Sequence, residues 1–208
     1  MPKFDGGENG VLARKYTNYK IKELVRKSIH LCAALVPSLL SVARVPVLCA
    51  LGAVLVFYCV AEFLRMKGIS VFIVSAITET ASRKRDENRF VLGPVSLALG
   101  VLITALLFRP DAAAVGIYAL AFGDGLASLA GKLFGITVIP HTAGKTVVGS
   151  LTCFTAIFLS AWAVCKHTFA ALVIAFCGMC IELLPLKDFD NLIIPIALAA
   201  VAQFLFGI

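Results

Sequence analysis

The residue with the clearest chemical potential is an acid, Asp124, in an otherwise apolar stretch from residue 119 to residue 130. A carboxylate at membrane depth costs about 2.5–3.5 kcal/mol on insertion scales, so a cation, a proton path or a basic partner must offset the cost. Its neighbours Gly123 and Gly125 lack side-chain bulk and would let a ligand approach the backbone. We expect Asp124 at the inner end of a helix, as a ligand for a hard cation such as Mg²⁺. The alternative is an Asp that caps a helix after a glycine break.

A second candidate site is the glycine-rich segment between residues 131 and 150. Free backbone N–H groups, an ammonium and hydroxyls at the start of a helix suit a phosphate chain. The segment is not a Walker loop, because Ile139 stands where that pattern requires its first glycine. A glycine-rich segment with one lysine is also typical of an ordinary loop. The candidate phosphate ligands here are Lys132, Gly144, Lys145, Thr146, Gly149 and Ser150.

Acidic residues return near the end of the chain, around Pro185, which ends a predicted helix. Asp and Asn are favoured helix caps, which is the simpler interpretation of this cluster. Together with Asp124, the acids could hold one or two Mg²⁺ ions, the arrangement that neutralises charge in phosphoryl transfer. The residues concerned are Glu182, Asp188, Asp190 and Asn191.

Basic residues precede the first apolar segment, where Arg26 and His30 are four apart and share a helix face. His30 could orient a phosphate or an acceptor hydroxyl. The alternative is an interfacial His, with Arg26 and Lys27 reaching lipid headgroups. Glu62 and Arg65 lie at the end of the second apolar segment. Residues 83–89 form a basic loop, which is either simply exposed to solvent or binds a triphosphate or an anionic lipid.

These groups are positioned by apolar helices. The chain has 208 residues, 60% of them hydrophobic and 15% charged, with a mean hydropathy of +0.96. Soluble domains are about 45–50% apolar and about 25% charged, so we predict an all-α, polytopic membrane helix bundle. Residues 1–27 form a basic, amphipathic N-terminal segment, and residues 28–208 form a single transmembrane domain. A shorter apolar stretch at 69–81 is predicted to be interfacial or re-entrant. The seven predicted spans are 28–43, 45–64, 90–108, 112–131, 147–165, 168–186 and 191–207.

Positive charge predicts the orientation of the bundle. With a cytoplasmic N-terminus, 16 of the 19 lysines and arginines fall on the inner side, which leaves Arg44, Arg109 and Lys166 outside. The C-terminus is then outside, and the candidate residues gather at the cytoplasmic face. The net charge of +7 is explained by the basic residues that stay on the inner side of the membrane and are attracted to anionic lipid headgroups there. Nucleic acid is therefore not an expected partner.

Five short patterns follow one another along the chain. They are Arg-Lys-x-x-His, Glu-x-x-Arg, Gly-Asp-Gly-x-Ala-x-x-x-Gly-x-x-x-Gly, Gly-Lys-Thr-x-x-Gly-Ser, and Glu followed by Asp-Asn-x-x-x-Pro. From about residue 23 to the C-terminus, this order resembles the CTP-dependent lipid-alcohol kinases. That group comprises dolichol kinase, phytol or farnesol kinase and fungal-type diacylglycerol kinase, and it is related to phosphatidate cytidylyltransferase.

The resemblance implies transfer of phosphate from CTP, with Mg²⁺ as cofactor, to the hydroxyl of a membrane alcohol: a polyprenol, phytol or farnesol, or diacylglycerol. The products would be a lipid monophosphate and CDP. We assign catalytic roles to Asp124, Lys145, His30 and Arg26. We assign nucleotide contacts to Lys27, Glu62, Arg65, Gly123, Gly125, Lys132, Gly144, Thr146, Gly149, Ser150 and Asn191. We assign metal coordination to Asp124, Asp190, Glu182 and Asp188.

The expected partners are CTP, the lipid alcohol and the bilayer, and the oligomeric state is left open. The membrane would be the plasma or inner membrane of a prokaryote, or an endoplasmic-reticulum or plastid membrane. One departure from the family is Val147-Val148, where a bulky residue and a Glu are common. Because the C-terminal signature of cytidylyltransferases is missing, the sequence favours a kinase over a cytidylyltransferase that makes a CDP-lipid. A small membrane transporter is the alternative from another class.

Overall fold

The computed structural model describes residues 22–69 and 89–205, and the regular structure in these ranges is helical apart from one isolated β-bridge between Val138 and Thr146. The all-α prediction is therefore confirmed for the described part of the chain. The predicted interfacial stretch at 69–81, the basic loop at 83–89 and the N-terminal segment lie largely outside the described residues. The helices are α1 (Lys22–Val42), α2 (Arg44–Met66), α3 (Gly93–Leu107), α4 (Pro110–Phe134), α5 (Val147–Cys165), α6 (Thr168–Leu183) and α7 (Asp190–Leu205).

Four of these helices, α1, α2, α4 and α5, are long and apolar enough to cross a membrane, and the other three are shorter apolar helices. The predicted number of spans and the predicted orientation stay predictions. The helix bounds follow local chemistry. α6 ends at Leu183 rather than at residue 186, because Pro185 disfavours helical backbone at the residue before it. Leu184 has a ψ of 143°, which is extended.

Helix α4 is the centre of the bundle and packs against α5, α7 and the middle of α1. Its central residues Val115, Ile117 and Leu120 are completely buried. The helix is rich in alanine and glycine, which let neighbouring helices approach closely where no hydrophobic effect drives them together. α4 therefore fixes the depth and direction of any side chain that it carries toward α1.

The structure corrects the expected position of Asp124. Glycines on both sides suggested a helix end, but α4 continues through Asp124 to Phe134. Residues Ala119–Asp124 form a π-helical turn inside it. Such turns insert an extra residue into an α-helix and often occur at functional sites. Asp124 thus lies within the bundle rather than at a helix cap.

Close helix packing gives a first prediction. Gly116 of α4 faces α7, and a Cβ added there would lie 2.2 Å from the carbonyl oxygen of Pro195. Because backbone cannot move aside cheaply, we expect Gly116→Ala to lower the free energy of unfolding by about 1–3 kcal/mol. Thermal unfolding in one detergent measures the change. Gly52→Ala on α2 is the matched control, since no atom lies within 4 Å of its added Cβ. Equal stability of both variants would contradict this packing.

Candidate functional site

The core of the candidate site is a buried contact between α1 and α4. The Lys27 ammonium donates a hydrogen bond to Oδ2 of Asp124 over 2.5 Å. His30 Nδ1 lies 3.2 Å from the same oxygen, but not in hydrogen-bonding geometry. All three residues are buried. The hydrogen bond and the ion-pair contact found for Asp124 among the described residues both involve Oδ2, and none involves Oδ1.

Two further charged groups act on this contact. Asp190, at the first turn of α7, repels Asp124, and both carboxylates attract Lys145. Lys27 also attracts Asp190. Four of the residues that the sequence singled out are therefore electrostatically linked, although they come from α1, α4, α7 and the segment before α5.

The loop from residue 135 to residue 146 positions Lys145. Ile139 N–H donates to the Lys145 carbonyl over 2.8 Å, and Val147 N–H donates to the Thr137 carbonyl over 3.1 Å, so the loop closes on itself. Gly144 has a φ of 81°, a conformation that glycine adopts without strain. The Lys145 ammonium pairs with the Glu182 carboxylate at the end of α6.

The electrostatics of Lys145 follow from its surroundings. Burial favours the neutral amine, but the Glu182, Asp124 and Asp190 carboxylates together outweigh burial and raise the pKa of Lys145 above its ordinary value. Lys145 is therefore an ammonium at neutral pH. Ser150, whose hydroxyl lies 3.5 Å from the second Glu182 oxygen, belongs to the same group.

Two predicted phosphate ligands of this segment have structural partners. Thr146 is the N-cap of α5, and its hydroxyl accepts a hydrogen bond from Gly149 N–H over 3.1 Å. A Cβ at Gly149 would lie 3.0 Å from the Ala127 carbonyl oxygen, so this glycine also lets α5 approach α4. The expected cradle of open N–H groups is thus partly closed in this structure.

The glycines beside Asp124 were expected to leave room for a ligand, but they contact neighbouring helices. A Cβ at Gly123 would lie 2.7 Å from Ile157 of α5, and a Cβ at Gly125 would lie 3.4 Å from Leu31 of α1. Neighbouring helices therefore occupy the space that the sequence suggested for a ligand. These glycines let α1 and α5 pack closely around Asp124.

One member of the site was missed from the sequence. Glu23 of α1 is buried, and both of its oxygens lie 2.5 Å from Arg26 Nη2. Lys132 Nζ lies 2.8 Å from Glu23, and the Ser128 hydroxyl donates to it over 2.9 Å. The i, i+3 spacing of Glu23 and Arg26 signals their pairing, but no local pattern signals the contact with α4. Glu23 holds two predicted phosphate ligands, Arg26 and Lys132, in one place.

The role of Glu23 gives a second prediction. In Glu23→Gln, a neutral amide faces two cations, so the charge-assisted hydrogen bonds are lost. Arg26 and Lys132 are partly exposed and can turn to water. We therefore expect a loss of about 1.5–3 kcal/mol of stability, the range for hydrogen bonds to charged groups. Thermal unfolding checks this, with Ser28→Ala, an exposed position on the same helix, as control. Unchanged stability would show that the Glu23 contacts contribute little.

Two other candidates lie in structural contacts. Glu62 is fully buried, with one oxygen 2.9 Å from Val91 N–H and both oxygens 2.8 Å from Arg65. Asn191 donates its amide to the Ser96 hydroxyl over 3.2 Å and to the Gly93 carbonyl over 3.4 Å. Glu62 and Asn191 each hold the segment at the start of α3. A nucleotide contact at Glu62 would require this arrangement to open.

The predicted metal ligands do not form a complete coordination site in the described part of the chain. No group of three or more His, Cys, Asp or Glu side chains suited to a metal ion occurs among the described residues. Glu182 is paired with Lys145, whereas Asp190 and Asp188 line a cavity together with Lys27 and His30. Asp124 is not among the lining residues of this cavity, but it repels the Asp190 carboxylate electrostatically.

The fold and the site define a class of protein: an apolar helix bundle with a buried cluster of acids and bases at one end. Its relatives are named as kinases. The chain is 27% identical to the probable phytol kinase of Triticum aestivum over 159 residues, 67% of the chain and 53% of that protein. It is 25% identical to phytol kinase 1 of Arabidopsis thaliana over 162 residues, 68% of the chain and 53% of that protein. It is 29% identical to farnesol kinase of the same plant over 157 residues, 66% of the chain and 50% of that protein.

These relatives confirm the resemblance drawn from the five short patterns, and all three are named as chloroplastic proteins. The chain spans about half the length of the curated relatives that it matches. No family model matches the chain, and no solved structure matches it.

Proposed function

We propose that the protein is a membrane-bound kinase that transfers the terminal phosphoryl group of CTP to the hydroxyl of a lipid alcohol of the isoprenoid class. The observation that carries the proposal is Asp124, which lies inside the bundle with Lys27 bonded to one oxygen, while Asp190 and Lys145 act on it from two other elements. The similarity to proteins named phytol kinase and farnesol kinase supports the same reaction.

The residues fit a magnesium ion. Oδ1 of Asp124 and the carboxylate of Asp190 are hard oxygen donors, and Mg²⁺ is usually held by one or two carboxylates together with substrate phosphates. Asp124 is buried and Asp190 is half-buried, and the mutual repulsion of two such carboxylates is relieved when a cation binds between them. Bound there, Mg²⁺ would neutralise charge on the phosphate oxygens. Asp188 and Glu182 remain candidate ligands from the same end of the bundle.

The basic residues would neutralise the charge that spreads over the transferred group. In the reaction, the alcohol oxygen forms a bond to the γ-phosphorus while the bond to the leaving CDP oxygen breaks. Lys27 and Arg26 line the cavity together with Asp190, and the Lys145 ammonium is attracted by both Asp124 and Asp190. Loose phosphoryl transfer depends mostly on positioning and electrostatic stabilisation, so fixed cations are the main contribution expected from the chain.

The hydroxyl proton needs an acceptor, and the sequence offered His30 or Glu182. Glu182 is engaged by Lys145, whereas His30 Nδ1 makes no hydrogen bond within the described residues. His30 also lines the cavity next to Asp190. The geometry favours His30 for contact with the hydroxyl, with Glu182 as the group that holds Lys145.

The deciding experiment uses purified protein in proteoliposomes with Mg²⁺ and γ-labelled CTP or ATP. Farnesol, phytol, a polyprenol and diacylglycerol are tested as acceptors. We expect label in a lipid monophosphate, with CTP preferred and an isoprenoid alcohol the best acceptor. Label released as pyrophosphate, with CMP joined to the lipid, would identify a cytidylyltransferase. Solute flux without nucleotide turnover would identify a transporter, and either result would overturn the kinase proposal.

A further inference from the structure

A cavity opens beside the candidate site, between α1, α3 and α7. Its lining is divided between two kinds of side chain. The polar residues come from the α1 face that carries the Asp124 contact and from the start of α7. The apolar residues come mainly from the start of α3. The described lining residues are Arg26, Lys27, Ile29, His30, Val91, Gly93, Pro94, Leu97, Asp188, Asp190 and Asn191.

His30 belongs to the polar part of the lining. This side chain is buried, and its Nδ1 faces Asp124 at 3.2 Å without a hydrogen bond to any described residue. An alcohol both donates and accepts a hydrogen bond, and so does a neutral imidazole. A small hydroxyl therefore suits this end of the cavity, within reach of the groups that would hold a phosphate.

The apolar part of the lining suits a hydrocarbon chain. Val91 and Leu97 are buried in the cavity wall, and Leu92, next to them, is 48% exposed. With the bundle in a bilayer, an exposed leucine here would contact lipid, and the apolar wall would then be open to the hydrocarbon chains. An acceptor whose body stays in lipid could place its polar end at His30 without crossing water.

Two buried polar residues hold this wall in place. Glu62 accepts a hydrogen bond from Val91 N–H, and Asn191 bonds to Gly93 and Ser96. Glu62 and Asn191, which the sequence suggested as nucleotide ligands, thus also position the segment that forms the apolar side of the cavity.

We propose that this cavity binds the hydroxyl-bearing end of an isoprenoid alcohol, with His30 at the hydroxyl and Leu97 against the first carbons of its chain. The inference rests on the proposed kinase function and assigns the acceptor a place within it. It makes Leu97 a specificity-determining residue. The candidate phosphate-binding groups Arg26 and Lys27 and the carboxylate of Asp190 line the same cavity, so the hydroxyl would lie close to them.

The kinetic test is Leu97→Phe, which narrows the cavity without changing charge. We expect the KM for farnesol or phytol to rise about tenfold or more, the scale of small size changes in a hydrophobic pocket, while the KM for CTP stays within about twofold. Leu107→Phe, at an exposed apolar position on the same helix, is the matched control and should change neither value. A Leu97→Phe enzyme with an unchanged acceptor KM would overturn the assignment.

A second test measures binding and requires no turnover. It uses the wild-type protein, so it can be carried out even if the Leu97→Phe variant does not fold. A farnesol analogue with a photoreactive diazirine near its hydroxyl is irradiated with wild-type protein in liposomes, and the labelled peptides are sequenced. We expect label at residues 29–30 or 91–97 that excess phytol or farnesol removes. Label spread along lipid-facing helices, and not reduced by competitor, would overturn the acceptor site.

The two proposals fail in different ways. Labelling of the cavity that excess alcohol removes, without phosphate transfer to any alcohol, would support the alcohol-binding site and contradict the proposed kinase activity. Phosphate transfer with labelling elsewhere would keep the kinase and reject this cavity as the acceptor site.

Discussion

Asp124→Asn is expected to lower the rate of phosphoryl transfer by at least about a hundred- to thousandfold, the usual effect of removing one electrostatic contact in an active site. The amide keeps the shape of the carboxylate but loses its negative charge, so a neutral carbonyl oxygen and an NH₂ group replace the carboxylate that would bind the cation. Lys27, which is buried against Asp124, loses its counter-charge as well. The measurement is the initial rate of label transfer from CTP to farnesol in proteoliposomes.

The control for this variant lies on the same helix. Asp111 is exposed in the first turn of α4, at the end away from the buried cluster. Asp111→Asn removes the same charge without touching the site, and its rate should equal that of the wild type. A near-normal rate for Asp124→Asn, in protein that elutes and unfolds as the wild type does, would remove Asp124 from the mechanism.

Local sequence was sufficient to predict the helices because each apolar segment carries its own signal. α5 has the bounds predicted for it, residues 147–165, and Thr146 before it is a favoured N-cap. The bound of α6 was wrong by a few residues because apolar residues continue past Leu183, while Pro185 prevents the helix from continuing. Such details depend on one residue and not on mean hydropathy.

The backbone around Asp124 could not be predicted in the same way. Glycines on both sides of an acid favour a helix end in sequence, since glycine is a poor helix former. In the bundle, each glycine instead makes room for another helix, Ile157 beside Gly123 and Leu31 beside Gly125. Tertiary packing therefore decides between a break and a π-helical turn, and the local sequence does not contain that information.

The sequence reveals site residues whose chemical type is itself informative. It does not reveal a residue whose role depends on contacts with distant parts of the chain. Lys27, His30 and Asp124 were singled out separately, and the structure brings them into contact. Glu23 was passed over because an acid near several basic residues, at the start of an apolar helix, suggests only a solvated pair. Its contact with Lys132 joins positions more than a hundred residues apart, which no local pattern can reveal.

The same reasoning separates residues that bind from residues that position. Glu62 and Asn191 occur in the patterns of the resemblance, yet both contact the backbone around the start of α3. Shared residues in a family can serve the shape of a site as well as its chemistry. Glu62, whose two oxygens are both hydrogen-bonded within the protein, has such a positioning role in this structure.

Lys27→Met is expected to destabilise the protein by about 3–5 kcal/mol, because it leaves the buried Asp124 carboxylate without its charged partner. Both side chains are about 5% exposed or less, so water can do little to compensate. The double variant Lys27→Met/Asp124→Asn removes both charges and should recover most of that loss. Each purified protein is unfolded in the same micelles by titration with a denaturing detergent. The titrations give the free energies of unfolding of the wild type, the single variant and the double variant.

Activity should behave differently from stability in this series. Both Lys27→Met and the double variant are expected to be inactive, since one lacks a cation at the transferred phosphoryl group and the other lacks the metal-binding carboxylate as well. Recovered stability without recovered activity would show that the two charges are kept for chemistry and not for folding, because well-packed neutral groups can replace a buried ion pair without loss. If the double variant regained the wild-type rate, the ion pair would be structural, and the transfer of phosphate would have to depend on the Lys145 and Glu182 side of the bundle.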